Sequence, residues 1–251
     1  MGFIIGLSAG LFGGLVGLGG AALMIPMMVG WLKLTQYKAH GTSLVALVFT
    51  GLVGASVYAF HGRVDVIAAL LLSVIAMWPA RLGAQYSYRL PEWRLKWCFG
   101  LFQIVMAALL LLKPYLSPLI AAPAPGWFNV TVLLMTGVTT GFISGLLGVG
   151  GGAIMVAAMV ILVGYDQHIA QGTSLLAMVP AGIIGAYTHR RLGNVEASLL
   201  GGLIPGIILG SLTGGALAQF LPEMALRTIF AMVLVWMGAR FMMKKRPPVS
   251  E

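Results

Sequence analysis

Long stretches without charge constrain this chain more than any other feature of its sequence. The segment from Thr42 to Phe60 contains no charged residue, and about 20 apolar residues in a helix suffice to cross the hydrocarbon core of a bilayer. Charged residues make up 8% of the chain and hydrophobic residues 59%, whereas an ordinary soluble domain carries about 25% charged residues. Such a chain could not cover its core in water, which excludes a soluble enzyme or nucleic-acid-binding protein. We predict an all-α polytopic membrane protein.

The net charge of +9 has a simple source in a membrane protein. Lys and Arg accumulate in cytoplasmic loops, so the basic excess does not require nucleic acid, and we expect no nucleic-acid partner. The single cysteine, Cys98, can form neither an internal disulfide nor a metal cluster. We therefore expect no metal and no cofactor.

An internal repeat divides the chain into two related halves. When the sequence is shifted by 131 residues without gaps, residues 10–65 and 141–196 share 23 identities in 56 positions. The clearest matches are the glycine-rich stretches 14–20 and 145–151 and the Gly-Thr-Ser-Leu motifs 41–44 and 172–175. Since the N-terminal segment shares the repeat, we expect it to belong to the fold rather than to a cleaved signal.

Each half contains four apolar elements. They lie at roughly 3–32, 40–60, 64–86 and 95–112 in the first half, and at roughly 130–163, 170–189, 195–219 and 225–243 in the second. The join contains four prolines, Pro114, Pro118, Pro123 and Pro125. Since proline disfavours a helix interior, we predict an extended linker over 114–126. It would separate a first transmembrane repeat, 1–113, from a second, 127–251, that ends in a short basic tail.

The distribution of Lys and Arg favours one membrane topology. If all eight elements crossed the membrane, basic residues would divide almost evenly between the two sides, which is unusual for an inner-membrane protein. If the first element of each half enters and returns on the same side, 12 of the 15 basic residues share one side, and Arg63, Lys113 and Arg227 lie on the other. Each half then has a broken first helix plus three transmembrane helices. The halves are inverted relative to each other, and both termini are cytoplasmic.

Glycines recur every fourth residue in the first element of each half. They are Gly2, Gly6, Gly10 and Gly14 in the first half and Gly137, Gly141 and Gly145 in the second. This spacing leaves a bare helix face, which predicts very close backbone contact with a neighbouring helix.

Each glycine face runs into a tighter glycine cluster. The clusters are Gly17, Gly19 and Gly20 in the first half and Gly148, Gly150 and Gly151 in the second. Glycine tolerates the positive φ angles of a sharp reversal, and about 30 residues are too few for two full crossings at 1.5 Å per residue. We predict that two half-helices meet near the membrane midplane, where exposed backbone must be buried in protein or line a cavity.

Broken helices in inverted repeats are typical of secondary transporters, which hold the substrate near the repeat interface. A half-helix that starts after Gly19 or Gly150 points unpaired N–H groups at that interface, which favours an anion. We predict one anion site between the two glycine turns. Two hydroxyl pairs would donate to the anion, namely Thr42 with Ser43 and Thr173 with Ser174. Alternatively, each pair begins a helix and only caps its free N–H groups.

Five further polar residues are candidates for a substrate or proton role. They are Gln36, His40, Arg81, Gln167 and Gln171. Each has a structural alternative; an arginine near a helix end, for example, also reaches the membrane interface without a function in transport. The 6 acidic residues fall in or beside loops, which argues against a relay through a buried carboxylate. A coupling ion, either a proton or sodium, is left open, and so is a homodimer.

The stretch Gly6-Leu7-Ser8-Ala9-Gly10 matches the Gly-x-Ser-x-Gly pattern of serine hydrolases. That pattern requires a strand–turn–helix context or a paired histidine, whereas here it lies in a glycine-rich helical segment. The chain also lacks the Gly-Lys-Ser/Thr end of a phosphate-binding loop. We therefore expect neither an enzyme nor an ATPase.

These glycine clusters and Thr-Ser motifs resemble those of the sulfite exporter TauE/SafE family of membrane proteins. The resemblance rests on residues 17–21 with Pro26, on residues 148–152 and on the two Gly-Thr-Ser-Leu motifs, and it spans nearly the whole chain. It implies an inner-membrane carrier that exports sulfite, sulfonates or related small anions and binds them at the glycine turns and Thr-Ser pairs. Ala157 replaces the proline expected from Pro26, so the second broken helix is expected to bend differently. An uptake carrier, a carrier of another anion and a membrane assembly subunit are the alternatives.

Overall fold

The structure is a bundle of helices. It is a computed structural model that describes residues 1–87, 91–120, 126–147 and 150–243, and within these ranges it contains no strand. The helices are α1 (Gly2–Val16), α2 (Ala21–Trp31), α3 (Gln36–Phe60), α4 (Val66–Ser87), α5 (Glu92–Ile120), α6 (Gly126–Leu147), α7 (Gly152–Ala158, followed by a π-helix over Met159–Val163), α8 (Gln167–Arg191), α9 (Ala197–Ala218) and α10 (Glu223–Met242). Five of them, α3, α4, α6, α8 and α9, are long and apolar enough to cross a membrane.

Some of the predicted spans differ from this set. Helices α5 and α10 occupy the positions of the predicted third spans, but neither is among the five spanning candidates found in the described part of the chain. Helix α6 is among them. Its 22 residues extend about 33 Å at 1.5 Å per residue, so the predicted half-helix is wrong for this arm. The helix is longer than expected because it begins at Gly126, ahead of the apolar run that starts at residue 130.

Helix boundaries follow the sequence repeat closely. Helices α3 and α8 both have 25 residues, and their first residues, Gln36 and Gln167, are separated by the repeat offset of 131. Helices α4 and α9 both have 22 residues, and they begin at the equivalent residues Val66 and Ala197. The same local sequence pattern therefore produces the same helix in each half.

Contacts between the halves come in reciprocal pairs. The Thr42 hydroxyl accepts the backbone N–H of Glu196 at 2.9 Å, and the equivalent Thr173 hydroxyl accepts that of Asp65, also at 2.9 Å. Residues 42 and 173 are equivalent in the repeat, and so are residues 65 and 196. The two hydrogen bonds are therefore the same contact made once from each half. Such exchange of partners is what a two-fold relation between the halves produces.

Helices α3 and α8 pack against each other in opposite directions. Gly41, near the start of α3, lies against the backbone of Asn194 just beyond the end of α8. Gly54, further along α3, lies against Leu175 in the first part of α8. These two equivalent helices form the centre of the bundle and are antiparallel.

The every-fourth glycines form the closest helix contacts, as their spacing predicted. Gly10 and Gly14 of α1 lie against the backbone of α9, where a Cβ atom would come within 2.5 Å of the carbonyl oxygens of Ile207 and Ser211. In the second half, Gly141 and Gly145 of α6 lie against the backbone of α4 in the same way. Each broken element therefore packs against a helix of the other half.

A methyl group at Gly10 tests this packing. Gly10→Ala is expected to lower the free energy of unfolding by about 1–3 kcal/mol, because the added Cβ would meet backbone atoms that cannot move aside. Gly201→Ala is the matched control, since Gly201 lies in α9 with no atom within 4 Å of its Cβ position. It should be neutral or stabilising by up to about 1 kcal/mol. Thermal unfolding in detergent measures both, and equal melting temperatures would refute the close contact.

The extended linker predicted for 114–126 is wrong for residues 114–120. Helix α5 continues through Pro114 and Pro118 to Ile120, and α6 begins at Gly126. Proline is tolerated within apolar helices of membrane proteins because neighbouring groups compensate the lost backbone bond. Pro123 and Pro125 lie outside the described residues.

Candidate functional site

The first broken element reverses at three glycines with left-handed backbone angles. Gly17, Gly19 and Gly20 have φ angles of 76°, 74° and 71°. The N–H groups of Gly17 and Leu18 both donate to the Gly13 carbonyl, which ends α1, and Gly20 precedes the first residue of α2. The predicted break is therefore present, and the N-terminus of α2 lies at the turn.

The second broken element reverses at the equivalent place. Gly150 and Gly151 have φ angles of 78° and 68°, and Gly151 precedes α7; Gly148 lies outside the described residues. The outgoing arm changes to a π-helix at Met159, whereas α2 contains Pro26 and stays α-helical to its end. The two outgoing arms therefore differ in helix type after Ala157 and Pro26, while the expected difference in bending stays a prediction.

Apolar side chains fill the space between the two turns. A Cβ atom on Gly19 would lie 2.8 Å from Leu47 Cδ1 and 3.5 Å from Met178 Sδ, and a Cβ on Gly150 would meet the same two side chains. Leu47 and Met178 are equivalent in the repeat, and both are fully buried. The turns do meet at the centre as predicted, but Leu47 and Met178, which we call the central pair, occupy the position predicted for the anion.

Polar groups gather instead on one side of the first turn. The backbone at Gly17 packs directly on the Gln171 side chain. The Tyr58 hydroxyl donates to Gln171 Oε1 at 3.0 Å and lies 3.2 Å from the Gly14 carbonyl oxygen. The Ser174 hydroxyl donates to the Gly17 carbonyl at 2.8 Å. These four residues, Gly17, Tyr58, Gln171 and Ser174, form the first polar cluster.

Polar groups in and beside the first polar cluster have no partner within the described part of the chain. Within the described residues, Gln171 Nε2 is buried without a hydrogen-bond partner, and so are both polar atoms of Gln167 one helical turn away. The Arg63 guanidinium lies within electrostatic range of Tyr58, and its Nη1 is also buried and unpaired. Buried donors without partners are rare in proteins and each requires a reason.

A second polar cluster corresponds to the first through the repeat. Gln36 Nε2 lies 2.9 Å from His40 Nε2, and His40 is the equivalent of Gln171. His189, the equivalent of Tyr58, has its Nε2 atom 3.4 Å from the Gly145 carbonyl and its Nδ1 atom 3.4 Å from Asn194. The second cluster therefore contains two buried imidazoles.

The two clusters lie on opposite sides of the central pair. His40 precedes Leu47 by seven residues in α3, and Gln171 precedes Met178 by seven in α8, so each lies about 10 Å from the centre along its helix. Because the two helices are antiparallel, these displacements point in opposite directions. The clusters are separated by about 20 Å along the bundle, which leaves two polar regions in place of one central site.

The Thr-Ser pairs do not begin helices, so the predicted capping role is wrong. Helices α3 and α8 start six residues earlier, where Thr35 and Asp166 accept backbone N–H groups. The hydroxyls of Thr42 and Thr173 bind the loops before α9 and α4 instead, as described above. Ser43 donates to the His40 carbonyl at 2.7 Å, so the hydroxyl hydrogens of both serines are already engaged.

The loops before α9 and α4, which Thr42 and Thr173 bind, each make a second polar contact. Lys38 Nζ lies 2.7 Å from a Glu196 carboxylate oxygen, and this hydrogen bond holds the pKa of Glu196 below its usual range. Tyr165 donates to Asp65 at 2.6 Å. Burial raises the pKa of Asp65, but hydrogen bonds from Tyr165 and from backbone N–H groups lower it more, so the net pKa falls below its usual range. Both carboxylates are ionised at neutral pH.

Arg81 belongs to neither polar cluster. It lines a separate cavity of about 600 Å³ between the last parts of α4 and α8, together with Arg191 and Thr188. The Gly-x-Ser-x-Gly stretch lies within α1, where Ser8 donates to the Ile4 carbonyl. A hydrolase motif would require a strand before the serine, so this stretch has the wrong context.

Tyr58 and Arg63 were missed by sequence analysis. Their counterparts in the second half are His189 and Asn194, so neither position is identical in the repeat. Arg63 could have been noticed as one of only three basic residues on its side in the inverted topology, because an exception to the positive-inside distribution calls for a local cause.

Comparison with known proteins identifies the family. The family model for sulfite exporter TauE/SafE matches residues 2–241. The chain belongs to the sulfite exporter TauE/SafE family. The glycine breaks described above therefore belong to a TauE/SafE protein, and the resemblance inferred from its motifs is confirmed.

Curated relatives of this TauE/SafE chain bear transporter names. It is 27% identical to "Probable membrane transporter protein YunE" of Bacillus subtilis over 258 residues, with 94% of each chain covered. It is 29% identical to a "Probable membrane transporter protein" of Xylella fastidiosa, covering 88% of this chain and 82% of the relative. YdhB of Bacillus subtilis, also named a probable membrane transporter protein, is 23% identical over 87% of this chain and 90% of its own. No solved structure matches the chain.

Proposed function

We propose that this protein is a secondary transporter of the inner membrane that exports small sulfur-containing oxyanions such as sulfite or organosulfonates. Membership of the TauE/SafE family and the names of the relatives support a membrane transporter. Five helices suited to crossing a bilayer support a multi-pass protein. The family description and the unpaired donors beside the first glycine turn support the proposed substrate class.

The proposed membrane arrangement is an inverted repeat with both termini in the cytoplasm. Antiparallel packing of the equivalent helices α3 and α8 supports it, because a two-fold axis between antiparallel spans lies in the membrane plane. The distribution of 12 basic residues against 3 supports the orientation. In this arrangement the second polar cluster faces the cytoplasm and the first faces the periplasm.

The single observation that carries anion binding is the unpaired Gln171 amide beside Gly17. A buried N–H donor without an acceptor is costly, and an oxyanion would satisfy it together with Gln167 Nε2 and Arg63 Nη1. The Arg63 guanidinium supplies a full positive charge, and arginine is suited to planar or tetrahedral oxyanions. The start of α2 adds the partial positive charge of a helix N-terminus. Ser174 positions this site, because its hydroxyl already donates to the Gly17 carbonyl.

The central pair gives the proposed transport cycle a barrier. Leu47 and Met178 separate the two polar clusters with apolar surface, and an anion cannot enter such surface without losing its hydration. Export would require the halves to move relative to each other, so that an anion released from the second cluster reaches the first. The loop links Lys38–Glu196 and Tyr165–Asp65 lie at opposite ends of the bundle, where such a movement would break one and keep the other.

Reconstitution into liposomes tests the proposed function. Vesicles loaded with sulfite, thiosulfate or sulfoacetate are expected to release these anions faster than protein-free vesicles. Taurine, whose ammonium group cancels its sulfonate charge, is expected to leave more slowly. Arg63→Gln should reduce anion release, because it removes the charge and keeps polar donors. Equal release of all four compounds, or none above the protein-free rate, would exclude an anion carrier and favour the alternative of an assembly subunit.

Inward and outward gradients in the same vesicles distinguish export from uptake. Imposed proton and sodium gradients identify a coupling ion, and the two histidines of the second cluster are the natural place for a proton.

A further inference from the structure

We propose that the cavity between α4 and α8 binds the headgroup of an anionic phospholipid. Its volume is about 600 Å³, and its walls combine two guanidinium groups, Arg81 and Arg191, with apolar and aromatic side chains. This inference is independent of which anion the protein transports. It assigns a role to Arg81, which neither polar cluster uses.

The charges of the cavity are complementary to a phosphodiester. Arg81 comes from α4 and Arg191 from the last turn of α8, so the two cations converge from separate helices. No carboxylate lines the cavity among the residues that the structure describes, and neither arginine forms an ion pair there. Arg191 stacks over the Tyr187 ring, with Cζ 4.7 Å from the ring centroid. Guanidinium groups arranged in this way bind phosphate oxygens well.

The position of the cavity suits a lipid better than a free anion. Along α4 the lining residues run from Met77 to Gln85, which is about 12 Å at 1.5 Å per residue. That length covers most of the half-thickness of the hydrocarbon core, about 15 Å. Trp78 is 80% exposed and lies nine residues before the end of α4, so its ring offers an apolar surface at the depth of the acyl chains. A small anion would make no favourable contact with these apolar walls.

The positions equivalent to the two arginines through the repeat, one in each half, carry no charge. The repeat places Leu212 at the position equivalent to Arg81 and Phe60 at the position equivalent to Arg191. Leu209 likewise replaces Trp78. The charged cavity therefore exists on one side of the bundle only, the side assigned to the cytoplasm, whose leaflet carries anionic lipids.

Lipid titration of the purified protein in dodecyl maltoside tests the proposal. Native mass spectrometry would compare dioleoylphosphatidylglycerol with dioleoylphosphatidylcholine, and the anionic lipid should bind more tightly. Arg81→Leu and Arg191→Phe copy the residues of the other half and should each weaken phosphatidylglycerol binding about fivefold, or about 25-fold together. Arg190→Phe is the matched control, because Arg190 lies at the same helix end but does not line the cavity, and it should retain most of the affinity.

Inorganic phosphate and sulfite distinguish a lipid site from a site for small anions. Millimolar concentrations of either ion should leave phosphatidylglycerol bound, since they lack the acyl chains that contact the apolar walls. Displacement of the lipid by these ions would refute the proposal and indicate that the cavity is a vestibule for the transported anion. Equal binding of both lipids, or full retention by the double variant, would overturn it. If the double variant is not monodisperse, Arg81→Gln with Arg191→Gln provides the same test with polar side chains.

Discussion

Replacing Gln171 with leucine is expected to weaken anion binding by about 10- to 150-fold. The substitution removes the Nε2 donor beside Gly17, and a hydrogen bond to a charged group contributes about 1.5–3 kcal/mol. Leucine is similar in size to glutamine, so the packing of Gly17 against this side chain should be kept. Tyr58 loses its acceptor on Gln171 but still lies 3.2 Å from the Gly14 carbonyl. Isothermal titration with sulfite at fixed ionic strength measures the change in Kd.

Gln103→Leu is the matched control for this variant. Gln103 in α5 is also fully buried, and neither of its polar side-chain atoms has a partner among the described residues. It packs near Gly238 and belongs to neither polar cluster. Its replacement should leave sulfite affinity unchanged, because the effect of Gln171→Leu depends on contact with the anion. A similar loss of affinity in both variants would refute the proposed role of Gln171.

A carboxylate at position 171 should weaken sulfite binding more than leucine does. Gln171→Glu keeps an acceptor for Tyr58 and nearly the same shape, but an ionised carboxylate repels an anion. Sulfite binding should therefore be lost at high pH and partly recovered at low pH, as the new carboxyl group becomes protonated. Affinity equal to wild type at pH 8 would remove Gln171 from the anion site.

Much of the fold could be predicted from the sequence because the two halves of the repeat encode the same structural elements. Each pattern could therefore be recognised twice. The glycine spacing predicted that Gly10 and Gly141 would contact a neighbouring backbone, and the clusters at Gly19 and Gly150 predicted the two reversals. Both predictions depend only on local geometry, since glycine is required wherever φ is positive or a backbone approaches closely. The length of α6 was not predicted, because the residues that extend its start carry no strong helical pattern.

The candidate site was predicted less well, and the reason lies in the symmetry of the repeat. Equivalent residues of the antiparallel helices α3 and α8 meet only near the middle of the helix pair, as Leu47 and Met178 do. Residues nearer the helix ends point to opposite ends of the bundle, so His40 and Gln171 are separated although they are equivalent in sequence. The expectation that equivalent polar residues converge on one anion was therefore wrong for the Thr-Ser pairs, which bind loops of the opposite half.

A methyl group at Gly20 is expected to be the most damaging small substitution in the first broken element. Gly20 has a φ angle of 71°, and a side chain in this region costs about 1–2 kcal/mol. Its Cβ would also fall against the carbonyl oxygen of Ala9, which belongs to the α1 backbone and cannot rotate away. Overpacking adds about 1–3 kcal/mol, so Gly20→Ala should lose about 2–5 kcal/mol in total.

Gly62→Ala separates the two causes. Gly62 has a φ angle of 66°, but no atom lies within 4 Å of its Cβ position, so alanine there should cost only the backbone strain of about 1–2 kcal/mol. Melting temperature and the yield of monodisperse protein in detergent should both fall further for Gly20→Ala than for Gly62→Ala. Equal losses would mean that the start of α2 does not approach α1 as closely as the reversal requires. The N-terminus of α2 would then lose the fixed position on which the proposed anion site depends.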